Sequence, residues 1–155
     1  MPAALLALTS CSSTVEIDSP DADPETRAAC ESFLADLPDP LLGEPGVEVS
    51  PDDALGRAWG DPPIVVTCGV GVPDGFTEFA LCDEVNGIGW YVPDSAVADL
   101  DGGDGGGDVV LTVITHAPRI EVQLPAAHRP PADVMALVSD LVNEHGFAEV
   151  RDPCV

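Results

Sequence analysis

Five cysteines offer the chain its most distinctive chemistry, and the first stands in a telling setting. Cys11 follows an apolar run, Met1 to Leu8, through Leu8-Thr9-Ser10. A leucine, two small residues and a cysteine form the pattern of a bacterial lipobox. The small side chains admit a signal peptidase, and the free thiol takes a diacylglyceryl thioether. Nothing basic precedes Cys11, whereas a complete signal needs a positive start and a longer apolar run. The expectation is therefore that the start of translation lies upstream or that the chain is truncated. The bland alternative is a short buried segment with an incidental cysteine. Two acyl chains, at about 0.8 kcal/mol per buried CH₂, anchor a protein stably. Cys11 is thus the expected lipidation site, on the extracytoplasmic face of the cell membrane.

With Cys11 lipidated, Cys30, Cys68, Cys82 and Cys154 remain. An even set outside the cell suggests two disulfides, in one of three pairings. The favoured pairing is Cys68–Cys82, on consecutive strands, and Cys30–Cys154, tying the ends of the domain. Four buried free thiols are the alternative. A zinc site lacks CxxC or HxxxH spacing.

The other reactive side chains form no catalytic signature. G-x-S-x-G, H-E-x-x-H and a phosphate loop are all absent from the sequence. His145 ends a helical pattern, where a cation suits the negative dipole end. His116 beside an acid could serve acid–base chemistry, but no nucleophile accompanies it. Asp99, Asp101, Asp104 and Asp108 are interleaved with glycines. Such a loop suits Ca²⁺, but the spacing matches neither an EF-hand nor a β-roll, and a solvated loop is the simpler reading. Trp59 and Trp90 read first as core. With Asp61 and Asn86 in the adjoining turns, they would make a ligand patch if exposed. Arg57 and Arg119 either face an anionic ligand or pair with the many acids. No cofactor is expected.

Charge narrows the partners. The chain has 155 residues, 28 of them acidic, against five Arg and no Lys, for a net charge of −23. Phosphate backbones and anionic headgroups would repel it, which excludes nucleic acid as a partner. No stretch of 18 apolar residues exists to span a membrane.

These residues must be positioned by a domain predicted over 25–155, after a signal remnant and lipobox (1–11) and a flexible acidic tether (12–24). Asp23-Pro24-Glu25 signals a helix start, with Cys30, Phe33 and Leu34 inward. Ser50-Pro51-Asp52-Asp53 signals a second, short helix carrying Leu55, Ala58 and Trp59, closed by Gly60. Strands are predicted from Pro63 to Cys68, within 76–85, from Ile88 to Val92, from Val109 to Thr115 and from Arg119 to Leu124. Asn86-Gly87 is a strong hairpin signal. A last helix runs from Ala132 to His145. The order implies an α+β domain: a mostly antiparallel sheet of about five strands with helices packed on one face.

Ala58-Trp59-Gly60-Asp61-Pro62-Pro63-Ile64-Val65, Cys68-Gly69-Val70 and Val85-Asn86-Gly87-Ile88-Gly89-Trp90 resemble the actinobacterial DUF3515 family, a domain of unknown function. The resemblance covers nearly everything from Glu25 onward. It implies a small secreted or lipid-anchored envelope protein and brings no activity with it. The function expected is a non-catalytic envelope interaction module, held on the membrane by lipid and meeting an envelope protein. A ligand- or Ca²⁺-binding lipoprotein and, behind it, a cell-wall hydrolase are the alternatives.

Overall fold

Helix α1 (Pro24–Asp36) starts where its capping residues dictate, in a computed structural model that describes residues 14–77, 79–80, 82–94, 96 and 106–150. The Asp23 carboxylate accepts the backbone N–H groups of Glu25 and Thr26, both at 3.0 Å, and the Thr26 hydroxyl at 2.8 Å. These are donors the helix cannot satisfy itself. Led by the Thr26 N–H, they hold the Asp23 carboxyl below its ordinary value. Cys30, Phe33 and Leu34 form the buried stripe.

In chain order the strands are β1 (Val15–Glu16), β2 (Gly46–Val47), β3 (Val49–Ser50), β4 (Gly56–Trp59), β5 (Ile64–Val70), β6 (Asp83–Val85), β7 (Ile88–Tyr91), β8 (Val109–Val113), β9 (His116–Ala117), β10 (Arg119–Leu124) and β11 (Ala148–Glu149). Helix α2 (Ala132–Glu144) follows β10 and a single 3₁₀ turn. Seven strands form one sheet in the order β2-β4-β5-β10-β8-β7-β6, antiparallel at every pairing. Two small pairs flank it, β1 with β3 in parallel and β9 with β11 antiparallel.

The fold is α+β with a mostly antiparallel sheet, larger than the five strands expected. The two additions are β2, expected as loop, and β4, expected as helix. Ser50 ends β3 and Pro51-Asp52-Asp53 forms a turn, while Gly56 to Trp59 pairs with β5 from Gly56↔Thr67 to Trp59↔Ile64. Gly56 weakens a helix here, while ladder bonds on both sides of β4 reward the extended form. Gly60, expected to close a helix, turns the β4–β5 hairpin instead with φ +79°. Asn86 and Gly87 adopt φ +51° and +82° in the expected β6–β7 hairpin.

Alternation sorts each strand into two faces. Ile64, Val66, Cys68, Leu111, Val113, Ile120, Val122 and Leu124 join Phe33, Val134, Val138 and Val142 in one core beneath the helices. The opposite face carries a smaller cluster of Ile17, Ala58 and Val65. The segment expected as a loose tether over 12–24 is docked there from Val15 onward. The Val15 and Ile17 N–H groups donate to Glu48 and Ser50 carbonyls at 2.8 and 2.9 Å, and the Leu55 N–H donates to Ser19 Oγ at 2.8 Å. Ile17 is only 6% exposed. Apolar Val15 and Ile17, alternating with acids, gave this segment a two-residue period short enough to pass for loop.

Candidate functional site

The cysteines depart from the expected pairing. Cys30 on α1 is bonded to Cys68 on β5, with Cα atoms 5.5 Å apart. Both side chains are fully buried where the helix packs on β5. The expected Cys68–Cys82 bridge assumed that consecutive strands are neighbours. Three strands separate β5 from β6, so Cys82, just before β6, lies on the order of 19 Å away across the sheet. Cys30 is therefore unavailable to Cys154. Cys82 is itself disulfide-bonded. Cys11 and Cys154 lie outside the described residues.

The aromatic patch does not form. Trp59 and Trp90 are fully buried. They sit on β4 and β7, four strand spacings or roughly 19 Å apart. The Trp90 indole donates to Ser139 Oγ of α2 at 2.9 Å. The Arg57 guanidinium lies 4.9 Å over the Trp59 ring and donates to the Leu34 and Leu37 carbonyls at 3.2 and 2.9 Å. Arg57 thus satisfies carbonyls that the end of α1 leaves open, rather than facing a ligand. Asp61 is exposed in the β4–β5 turn. Asn86 ties the β6–β7 turn to α2: its side chain donates to Asp140 at 2.8 Å, and its carbonyl accepts from Asn143 at 3.0 Å. Strands β5 and β6 run the same way, so these two turns lie at opposite ends of the sheet.

The histidines are employed separately. His145 contacts Asp36 at 3.0 Å beside Phe33, at the end of α2. His128 meets the Pro62 carbonyl at 2.9 Å. His116 contacts the Thr115 hydroxyl at 3.0 Å rather than a carboxylate. Asp99, Asp101 and Asp104 of the glycine loop lie outside the described residues. Asp108 accepts the Ala126 N–H at 2.9 Å and so caps the 3₁₀ turn. Among the described residues no group of three or more metal-ligating side chains gathers, and no helix is long and apolar enough to cross a membrane.

What the fold does assemble is a groove of about 510 Å³ on the face of the sheet away from the helices. Its floor is Val65, Thr67 and Val70 of β5 beside Glu121 and Gln123 of β10, and its wall is the docked segment from Val15 to Asp18 with Pro20. The volume falls in the range of small-ligand and peptide clefts. Glu16, Asp18 and Glu121 give it a negative lining, and its floor is apolar at Val65 and Val70 and polar at Thr67 and Gln123. No single motif marked these residues. The alternation of Arg119, Glu121 and Gln123 outward was legible, but not that an N-terminal segment would wall them in.

Comparison with curated proteins and with solved structures finds no significant match. The family model described as "Protein of unknown function (DUF3515)" matches residues 3–149. The chain belongs to the DUF3515 family.

Proposed function

We propose that this protein is a lipid-anchored extracytoplasmic domain that binds another envelope component and carries no catalysis of its own. The observation that supports it best is how the cysteines are used. Cys30, Cys68 and Cys82 are in disulfides, which persist in oxidising compartments. Cys11 ends a lipobox-like run. The separate employment of the three histidines argues in the same direction for a binding role. Docking of the N-terminal segment adds a geometric consequence. Three residues, or four Cα steps, part Cys11 from Val15, a reach of at most about 14 Å. A lipid on Cys11 would therefore hold the β1–β3 end of the domain close to the bilayer surface.

Two measurements test the reading. Expressed behind a complete signal in a bacterium with lipoprotein-processing enzymes, the protein should enter the detergent phase of Triton X-114, and Cys11→Ala should not. Unchanged partitioning of the variant overturns the anchor. Non-reducing peptide mapping is the second. With Cys30 and Cys68 joined, the partner of Cys82 is Cys11 or Cys154 by count. A Cys82–Cys154 peptide leaves Cys11 open to lipid, whereas a Cys82–Cys11 peptide rules lipidation out.

A further inference from the structure

We infer that the groove between the N-terminal segment and strands β5 and β10 is a docking site for a basic, extended segment of a partner protein. This rests on the interaction-domain reading and gives its partner a chemistry. Three independent features carry it.

The first is charge. Glu16, Asp18 and Glu121 line the groove, and none forms an ion pair among the described residues. The chain cannot easily neutralise them itself. It has five Arg and no Lys against 28 acids, and Arg27 and Arg57 already pair with Glu31 and Asp39. Arg119, two residues before Glu121 on β10, forms no ion pair with it, and a cleft lined by one sign of charge draws cations from another molecule.

The second is an unfilled hydrogen-bonding group. Thr67 is 4% exposed and lines the groove, yet its hydroxyl makes no hydrogen bond among the described residues. The hydroxyl is not among the fully buried unpaired polar atoms, so it opens onto the groove and is left to solvent there. A ligand donor or acceptor lying on β5 would complete it.

The third is shape. The base runs along two adjacent strands and is apolar at Val65 and Val70. An extended peptide presents side chains alternately to either side. Apolar residues facing the floor would pack on Val65 and Val70, while basic residues reach Glu121 on the floor and Glu16 and Asp18 on the wall. Anionic lipid is a poor occupant of a groove with this charge.

The test uses the full chain carrying Cys11→Ala and a fluorescent ten-residue peptide of alternating Lys and Val. Binding should saturate at one peptide per chain. Glu16→Gln with Glu121→Gln should weaken it at least tenfold, and Thr67→Val should weaken it severalfold. Glu84→Gln with Glu149→Gln removes the same charge from exposed positions outside the groove and should change affinity less than twofold. Circular dichroism confirms that each variant is folded. Equal losses from the two Gln pairs would mean that net charge alone attracts the peptide, and would overturn the site. So would absence of saturable binding, or competition by spermidine at the peptide's own concentration, which would assign the groove to small polycations. Detergent partitioning of the wild-type chain is unaffected by any of these results, so failure of the groove is distinguishable from failure of the anchor.

Discussion

On β5, Ile64, Val66 and Cys68 turn toward two thirteen-residue helices, while Val65 and Thr67 turn toward a few residues of N-terminal chain. All five are buried, but by covers of very different strength. On the helix side, a continuous apolar core, a disulfide and the Trp90–Ser139 bond link sheet and helices. On the other side, β1 and β3 share a two-residue pairing, and Ile17 is the main apolar plug. The difference teaches which surface can respond to a partner. Opening the helix side requires global unfolding. Lifting the N-terminal segment requires the loss of a few hydrogen bonds and one small cluster, the low-stability end of the range from which binding elements are drawn.

The largest expected effect comes from breaking the stronger side. Cys30→Ser with Cys68→Ser opens a loop with a sequence separation of 38. In the chain-entropy model that costs about 4 kcal/mol, a fall of roughly 10–15 °C in Tm for a domain of this size. Chemical denaturation checks it. A loss below about 1 kcal/mol would show that helix packing alone holds this face and that the contrast is weaker than drawn.

How much of that contrast was legible beforehand depends on the range of the interactions involved. The helix face was readable because its signals are local. Asp23-Pro24 starts α1, Asn86-Gly87 turns a hairpin, and the alternation over Arg119 to Leu124 became β10 with the expected residues inward. Non-local features were missed. The second helix expected around Ser50 to Trp59 has local capping signals, but β2 and β5 on either side pull β4 into the sheet. The disulfide error has the same source. Cys68 and Cys82 are close along the chain, and only strand order, with β10 and β8 inserted between β5 and β7, reveals that they are far apart. Trp59 and Asp61, Asn86 and Trp90 were expected as possible partners in one patch. The separation of the two buried Trp, and of the two exposed turns at opposite ends, follows from the strand order. The groove was invisible because both its wall and its floor are set by pairings across dozens of residues.

A smaller effect should come from the weaker side. Gly56 lies beneath the N-terminal segment, where a Cβ would stand 2.9 Å from Ile17 Cδ1 and 3.0 Å from the Val66 carbonyl oxygen. Gly56→Val must displace one or the other. Overpacking of this kind costs about 1–3 kcal/mol, and here the N-terminal segment is the part most able to move. Hydrogen exchange should show the Val15 and Ile17 amides, which donate to Glu48 and Ser50, losing protection while the β10 amides keep theirs. Equal loss in both would mean that the two faces open together. The same variant should also weaken binding of the basic peptide, since it moves the wall that carries Glu16.

The smallest expected effect probes an exposed feature of the helix side, the cap of α1. Asp23 accepts three hydrogen bonds in the folded chain, and its carboxyl is held below the ordinary value of 3.8. A group whose folded pKa is lowered contributes stability that is fully present above its unfolded value and lost as pH falls through its folded value. Asp23→Ala should therefore lower Tm by a near-constant amount at neutral pH, and the gap to the wild type should narrow as pH falls below 3.8. Asn accepts the same backbone N–H groups without a charge and ranks beside Asp as a cap. Asp23→Asn should recover most of the neutral-pH loss and remove the acid dependence. If the Ala gap stays constant down to about pH 2.5, the carboxylate charge adds nothing to the cap, and the stability of α1 rests on its packing against the sheet alone.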